Sequence, residues 1–251
     1  MKLIPVKDYD EMSRVGAEEI LELVKENPKA VLGLATGSTP TGLYRNLIED
    51  HKTNKTSYKE VTTFNLDEYI GLDGDHPQSY RFFMNEQLFH AIDIPEHQTH
   101  IPNGMAEDMD EECQRYEALI KEKGGIDLQL LGIGVNGHIG FNEPGTPFDS
   151  RTHVVPLTES TREANSRFFN SMDEVPTHAV TMGIQTILEA KKIVLLASGA
   201  SKQEAMRRLL LEGQSTDFPA SSLKNHPNVV IIADQEALKG TGFEGSEVKE
   251  I

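Results

Sequence analysis

The feature of this sequence that most constrains its fold is a set of short, continuously apolar runs separated by amphipathic helical patterns. Each run has the length of one β-strand, and none approaches the ~20 residues that a membrane span requires. Strands that are apolar throughout are typical of parallel sheets covered by helices on both faces. The sequence therefore predicts an α/β fold, an open, doubly wound, mainly parallel sheet of Rossmann-like type. The predicted strands are residues 30–35, 61–66, 99–102, 126–134, 192–198 and 228–234.

The segments between these runs have helical spacing. Asp8 and Glu11 have the spacing of a capping box, and Pro28 ends the helix that they begin. No linker, repeat or low-complexity tract interrupts the chain, so we expect a single domain over residues 1–251. The acidic end, residues 240–251, is expected to fray. Further helices are predicted at residues 39–50, 76–92, 105–123 and 201–212, and in pieces over 158–190.

Charge and cysteine content exclude several classes of partner. The chain has 24 Lys plus Arg against 40 Asp plus Glu, a formal net charge of −16. Nonspecific nucleic-acid binding depends on basic side chains that neutralise phosphates, so no nucleic-acid partner is predicted. Lys7 and Asp8 interrupt the first residues, which therefore lack the apolar middle of a signal peptide. Cys113 is the only cysteine of the sequence. We therefore expect a cytoplasmic protein with no membrane partner.

Open α/β sheets bind ligands at the carboxyl ends of their strands, so the residues that follow each predicted strand are the candidate site. Gly37, Ser38 and Thr39 lie between a strand and a helix, where backbone N–H groups and the helix dipole attract anions. Lys202 lies at the start of another helix, a position unfavourable for a cation unless an anion lies between. A glycine turn and a solvated lysine would explain the same residues. Arg167 is of the type suited to forked phosphate contacts.

Two other strand ends carry groups suited to proton transfer. Asp67 adjoins the strand at residues 61–66, where partial burial would favour a role as a base, although a helix cap is the simpler alternative. Asn136, His138 and Glu143 follow the strand at 126–134 in "GIGVNGHIGFNEPG". A histidine beside a carboxylate can act as general acid and base. The density of glycine favours a catalytic histidine over a hydrogen-bonded histidine in a simple turn, because so many glycines indicate that the backbone lies close to another group there.

Other chemistry is not predicted for this site. The spacing of His138 and Glu143 is not that of a metalloprotease helix, and no cysteine cluster accompanies them, so no metal site is expected. Neither Ser nor Cys lies next to His138 in a nucleophile elbow, which argues against an acyl-enzyme.

The motifs "GLATGSTPTGLY", "TFNLDEYIGL", "GIGVNGHIGFNEPG", "TREANSRFF" and "SGASKQEAM" together resemble the glucosamine-6-phosphate deaminase (isomerising) family in order and approximate spacing. The resemblance covers residues from about 5 to about 234. It implies conversion of D-glucosamine 6-phosphate and water to D-fructose 6-phosphate and ammonia, without a cofactor. It further implies a small-molecule sugar phosphate as the partner.

The resemblance also implies a role for each matching residue. His138, paired with Glu143, would open the sugar ring, and Asp67 would carry the proton from C2 to C1 through an enolamine. Asn136 would orient His138. Residues 157–181 would be a mobile lid. The phosphate ligands would be Gly37, Ser38, Thr39, Arg167 and Lys202.

The chain departs from the family pattern at two places. Some members have Asp where this chain has Asn136, so His138 is expected to be less basic here. Members activated by N-acetylglucosamine 6-phosphate have basic side chains after "FNEP" and a C-terminal Tyr, whereas this chain has His153 and Val155 and no such Tyr. We therefore expect little allosteric activation and a monomer or small homo-oligomer.

Two alternatives remain at the level of sequence. A 6-phosphogluconolactonase resembles this family in fold, but it has an acid before Gly-His and lacks "FNEPG". A sugar-phosphate sensor would keep Ser38, Arg167 and Lys202, but it would have no need of Asp67 with His138.

Overall fold

The computed structural model describes residues 1–167, 169–245 and 247–251. In this part of the chain, eight strands and eight α-helices are joined mainly by short loops, and three further strands form a second sheet. The strands are β1 (Lys2–Val6), β2 (Val31–Leu34), β3 (Thr62–Asn65), β4 (Asp67–Tyr69), β5 (Thr99–His100), β6 (Leu128–Gly132), β7 (His153–Pro156), β8 (His178–Thr181), β9 (Lys192–Ala197), β10 (Val229–Asp234) and β11 (Lys249–Glu250). The helices are α1 (Tyr9–Glu26), α2 (Thr41–Asn54), α3 (Tyr80–Gln87), α4 (Met109–Glu122), α5 (Glu159–Ser166), α6 (Ile184–Leu188), α7 (Gln203–Leu211) and α8 (Gln235–Leu238).

The main sheet confirms the predicted fold class. Its strand order is β11-β1-β10-β9-β6-β2-β3-β5, and every neighbouring pair is parallel except β11 with β1. At its centre Leu130 of β6 pairs with Val194 of β9, which pairs with Val230 of β10. All three side chains are buried, as expected for strands that helices cover on both faces.

Two apolar clusters cover the two faces of the sheet. On one face α1, α2 and α3 contribute residues such as Met12, Leu43 and Met84. On the other face α4, α6, α7 and α8 contribute residues such as Tyr116 and Ile187. The helix that follows β2 lies on the first face, whereas the helices that follow β6 and β9 lie on the second. The winding therefore reverses between β2 and β6, and a doubly wound sheet has its ligand crevice at such a reversal.

The second sheet was not predicted, and part of the expectation for residues 158–190 was wrong. This sheet is antiparallel with strand order β4-β8-β7, and it places Asp67 opposite Thr181, which in turn lies opposite His153. The segment contains α5 and α6, but His178–Thr181 is a strand rather than a helix. Its four residues are too few for periodicity to distinguish them from a helical turn, and only pairing with β4 and β7 makes them a strand.

The two chain ends also differ from expectation. Residues 2–6 were not predicted as a strand, yet β1 pairs with β10 along its whole length. The end at Lys249–Glu250 does not fray: it pairs with β1, and the Met1 ammonium donates a hydrogen bond to the Ile251 carbonyl at 2.9 Å. None of the helices in the described residues is long and apolar enough to cross a membrane.

Candidate active site

A cavity of about 410 Å³ lies where the carboxyl ends of β2, β3 and β6 meet. It brings together six of the residues that the sequence selected from separate strand ends, Gly37, Ser38, Thr39, Asp67, His138 and Lys202. A larger cavity of about 870 Å³ lies between α4 and α6, toward the start of β6, and contains none of them. The smaller cavity is therefore the candidate active site.

The loop after β2 forms one end of this cavity. Thr41 Oγ1 donates to the Gly37 carbonyl at 3.0 Å, and the Tyr9 hydroxyl donates to the Ser38 carbonyl at 2.8 Å. These two bonds turn the loop so that Gly37, Ser38 and Thr39 line the cavity immediately before α2 begins. A backbone turn at the N-terminus of a helix, where the positive end of the helix dipole lies, is suited to holding a phosphate.

Lys202 brings a positive charge to the same end. Its Nζ donates to the Ile133 carbonyl at 2.6 Å, and its partial burial lowers the pKa of the ammonium group. The turn that carries it is held by Asp234, whose carboxylate accepts hydrogen bonds from the Ser198 hydroxyl and the Gly199 N–H. Among the described residues that line the cavity, Lys202 is the only Lys or Arg.

Asp67 also lines the cavity, at the beginning of β4. Its side chain is 6% exposed, and burial raises the pKa of the carboxyl to about 8, with a smaller contribution from the charge of Glu68. A carboxyl group with a pKa near the working pH can both accept and return a proton.

The half-buried His138 faces Asp67 and Lys202 from the loop after β6. Burial lowers the pKa of its imidazole and Lys202 lowers it further, whereas the nearby Glu143 carboxylate raises it. A neutral imidazole is therefore favoured near neutral pH, as a general base requires.

Asn136 determines which imidazole nitrogen carries the proton. The Glu143 carboxylate can only accept hydrogen bonds, so the Asn136 atom that lies 2.8 Å from Glu143 Oε2 is the donor Nδ2. The amide oxygen of Asn136 therefore faces the histidine. That oxygen lies 2.8 Å from His138 Nδ1, which must then be the protonated nitrogen. The nearest direct approach of Glu143 to Nδ1 is 3.5 Å, so the carboxylate acts on His138 through Asn136. The Nε2 atom is left unprotonated and available to a ligand.

The glycines around His138 make room for side chains that form the site. A Cβ on Gly134 would lie 2.2 Å from the imidazole of His138, far inside van der Waals contact. A Cβ on Gly140, whose φ is +57°, would lie 2.9 Å from Thr181 Oγ1 and 3.8 Å from Asp67 Oδ2. The close approach predicted from glycine density is therefore present, and the groups approached are the protein's own imidazole and the surroundings of Asp67.

The remaining predicted residues do not line the cavity. Asn136 and Glu143 lie behind His138 and act on it as described. Arg167 is exposed, in the turn after α5. Its neighbour Arg162 has a structural role, since its guanidinium donates to backbone carbonyls, including that of Pro176 at 3.3 Å. Residue 168 of the motif "TREANSRFF" lies outside the described residues.

Sequence reasoning missed the aromatic wall of the cavity. Tyr80 and Phe141 both line it, with their rings stacked at 6.3 Å between centroids. The Tyr80 hydroxyl donates to the Tyr69 hydroxyl at 3.2 Å. Tyr80 follows a helix cap rather than a strand, so the rule that selects residues at strand ends could not find it. Within the described residues, no group of three or more His, Cys, Asp and Glu side chains is placed to hold a metal.

Comparison with known proteins agrees with the fold and shows the family. The family described as glucosamine-6-phosphate isomerases/6-phosphogluconolactonase matches residues 8–232. The chain is 60% identical over 238 residues to a glucosamine-6-phosphate deaminase of Geobacillus sp. (strain WCH70), covering 95% of each chain. It is 55% identical to glucosamine-6-phosphate deaminase 1 of Bacillus subtilis (strain 168), covering 94% of this chain and 98% of the relative.

Solved structures separate the two activities in that family description. A structure of a monomeric glucosamine-6-phosphate deaminase superposes with a TM-score of 0.91 at 55% identity, covering 94% of this chain and 98% of the other. A 6-phosphogluconolactonase from Trypanosoma cruzi superposes with a TM-score of 0.77 at 21% identity, covering 95% and 96%, and shares the fold alone. The fold and site thus define an enzyme of the broad isomerase and lactonase class. Within that class, the chain belongs to the glucosamine-6-phosphate deaminase family.

Proposed function

We propose that the chain converts D-glucosamine 6-phosphate and water to D-fructose 6-phosphate and ammonia. The observation that carries this proposal is the pairing, in one cavity, of a buried carboxyl group of near-neutral pKa with an imidazole whose Nε2 is free. Asp67 and His138 supply these groups, and the loop after β2 with Lys202 supplies an anion site at the other end. Proton transfer between adjacent carbons of an anchored sugar phosphate needs this combination.

The first step is ring opening by His138. Its Nε2 takes the proton of the anomeric hydroxyl, the bond between C1 and the ring oxygen breaks, and the imidazolium returns the proton to that oxygen. Nδ1–H stays bonded to Asn136, whose amide is held in turn by Glu143, so the imidazolium is stabilised without reorienting the ring. The product is the open-chain aldehyde.

The second step is isomerisation by Asp67. Its carboxylate takes the proton from C2, a proton of the C2 ammonium group passes to the aldehyde oxygen, and a neutral enolamine forms between C1 and C2. Asp67 then returns its proton to C1, which leaves a protonated imine at C2. Water adds to C2 and ammonia leaves, so one water is consumed and one ammonia released.

The raised pKa of Asp67 has a direct consequence for binding. The carboxyl group is largely protonated in the free protein near neutral pH because burial disfavours its charge. A substrate ammonium group at C2 would bring an opposite charge next to it, which favours the carboxylate form. Binding of the amino sugar would thus generate the base that acts on it.

We further propose that residues 157–181 include a lid. Residues His178–Thr181 form β8 and pair with β4, so the moving part would be residues 158–177, which carry α5 and Arg167. Closure would bring Arg167 from the surface to the phosphate and would exclude water from the enolamine.

The assembly and location of the chain are proposed on related grounds. We propose a cytoplasmic protein that works as a monomer or small homo-oligomer, since the similar solved deaminase is described as monomeric. His153 and Val155 offer no pair of cations for a second sugar phosphate, so N-acetylglucosamine 6-phosphate should not activate the enzyme. Sigmoidal kinetics that become hyperbolic on adding this compound would contradict that expectation.

Ammonia release from glucosamine 6-phosphate tests the proposed function. Wild-type protein should release ammonia in proportion to fructose 6-phosphate, and Asp67→Asn and His138→Gln should each lower kcat by at least about 100-fold. Hydrolysis of 6-phosphogluconolactone in place of deamination would assign the chain to the other branch of its class. Tight binding of the amino sugar phosphate without turnover would indicate a sensor.

A further inference from the structure

Two consecutive carboxylates, Asp67 and Glu68, are buried at the start of β4. They are 6% and 3% exposed. Successive side chains of a strand point to opposite sides, and accordingly Asp67 lines the cavity whereas Glu68 does not. A second buried carboxylate behind the proposed base has no place in the reaction described above.

Glu68 is held by backbone donors from two elements. Its Oε1 accepts the N–H groups of Tyr69 at 2.8 Å and Tyr80 at 2.9 Å, and its Oε2 accepts that of Arg81 at 3.0 Å. Tyr80 and Arg81 are the first two residues of α3, whose Ser79 cap binds Phe82 N–H separately. Glu68 therefore accepts hydrogen bonds from backbone N–H groups in the first turn of α3, which have no partner within that helix.

This arrangement joins the proposed base to the cavity wall. Asp67 is next to Glu68 in the chain, and Tyr80 begins the helix that Glu68 binds. The Tyr80 ring contacts those of Tyr69 and Phe141, and together with Phe141 it lines the cavity. Loss of the Glu68 carboxylate would release α3 from β4 and with it the Tyr80 ring.

The two carboxylates also differ in how well their charge is stabilised. Three N–H groups and the nearby Arg81 favour the ionised form of Glu68 and oppose the effect of burial, which raises its pKa. Within the described residues, no backbone N–H donates to the Asp67 carboxylate, and burial with the Glu68 charge raises its pKa to about 8. The donors that bind Glu68 have no counterpart at Asp67, and the charge of Glu68 adds to burial in raising the pKa of Asp67.

The other charged or titratable groups that face this pair come from several elements. Arg81 lies on the side of Glu68, with its guanidinium held by Thr99 Oγ1 at 2.8 Å. The phenols of Tyr80 and Tyr116 also lie near the pair, and burial raises the pKa of each. His138 and Lys202 face Asp67 across the cavity.

We propose that Glu68 is a positioning residue for the transfer of the proton from C2 to C1. Its carboxylate holds the start of α3, and with it Tyr80, in the cavity that Asp67 lines, and it places a negative charge next to the base, which keeps the Asp67 proton available for return to C1. This inference rests on the proposed role of Asp67 as the base.

The pH dependence of kcat/KM separates the charge of Glu68 from its structural contacts. Glu68→Gln removes the charge and one hydrogen-bond acceptor. The pKa of Asp67 should then fall, so the acidic limb of the kcat/KM profile, where activity rises with pH, should move by about one pH unit toward lower pH. The loss of the acceptor should lower kcat about tenfold. Glu68→Asp keeps the charge but shortens the side chain, so kcat should fall while the limb stays in place. A Glu68→Gln enzyme with lower kcat and an unmoved limb would show that Glu68 is only structural, and would overturn the proposal.

Carboxyl ¹³C NMR of the full chain supplies the second measurement, with the Asp67 signal identified by its loss in Asp67→Asn. In wild-type protein Glu68 should titrate at lower pH than Asp67, and Glu68→Gln should lower the titration midpoint of Asp67. If Glu68→Gln does not fold, the order in which the two carboxyl groups titrate in the wild-type protein decides the question. Titration of Asp67 at lower pH than Glu68 would overturn the inference. Retention of full activity by Asp67→Asn would instead refute the role of Asp67 itself.

Discussion

Replacing Gly134 with alanine should abolish most activity while leaving the fold intact. A Cβ at this position would lie 2.2 Å from both Cε1 and Nδ1 of His138 and 2.5 Å from its Cγ. Ordinary carbon contacts are about 3.5 Å, so the ring must move by roughly 1.3 Å. The φ of Gly134 is not in the left-handed region, so the added methyl group acts through the imidazole rather than through backbone strain.

The size of the effect follows from the displacement. A misplacement of about 1 Å at a reacting group costs about 100-fold in rate. The same movement would break the 2.8 Å contact between His138 Nδ1 and Asn136, which sets the proton on Nδ1. We therefore expect Gly134→Ala to lower kcat by about 100-fold or more, with a smaller change in KM because the phosphate site is separate.

Steady-state ammonia release, together with thermal unfolding, measures both parts of this prediction. Gly213→Ala is a matched control, because no atom lies within 4 Å of its added Cβ and its φ is also outside the left-handed region. It should retain wild-type kcat. A folded Gly134→Ala enzyme with kcat within about threefold of wild type would show that the position of the His138 ring is not critical.

Three further changes test the electrostatics of the site. Asn136→Asp adds a negative charge beside His138, so the pKa of the imidazole should rise, and the titration midpoint of the His138 ring signals in NMR should move to higher pH. An unmoved midpoint would contradict the role given to Asn136. Lys202→Met removes the cation of the proposed phosphate site, so KM for glucosamine 6-phosphate should rise about 10- to 100-fold. An equal rise in KM for unphosphorylated glucosamine would argue against phosphate binding by Lys202. Asp67→Asn should stabilise the protein increasingly above pH 4. Because the pKa of Asp67 is about 8 in the folded protein, against an ordinary value of 3.8 for an exposed aspartate, the buried acid contributes stability at low pH that is lost as pH rises toward 8. The gain in free energy of unfolding over wild type should approach about 6 kcal/mol at pH 9 as an upper bound. Urea unfolding at pH 5, 7 and 9 that shows no such trend would refute the raised pKa.

Six strands of the main sheet were predictable because they are largely buried on both faces and consist mainly of apolar and β-branched residues. Residues 192–198 and 228–234 became β9 and β10 with boundaries shifted by one residue. The second sheet lacked this signal. In β7 His153, Val154 and Val155 are only partly buried and Pro156 is exposed, so the run resembles a loop until β8 pairs with it.

Most of the candidate site was predictable for a related reason. Parallel strands end at the same edge of a sheet, so Gly37, Asp67, His138 and Lys202 could be assigned to one place from separate motifs. Tyr80 and Glu68 could not, because their roles depend on how α3 packs against β4. Arg167 was assigned to the phosphate on resemblance, and its exposed position leaves that role a prediction that depends on closure of the lid.

The sequence by itself determined the fold class, the edge of the sheet where the ligand site lies and the residue types present there, because these depend on local hydrophobicity and strand direction. Only the tertiary structure decided which groups can move protons. Burial of Asp67 in β4, which pairs with β8, sets one carboxyl pKa near neutrality, and the Asn136 bridge between His138 and Glu143 leaves one imidazole nitrogen free. Those properties depend on desolvation and on hydrogen-bond direction, which exist only once distant segments are packed together.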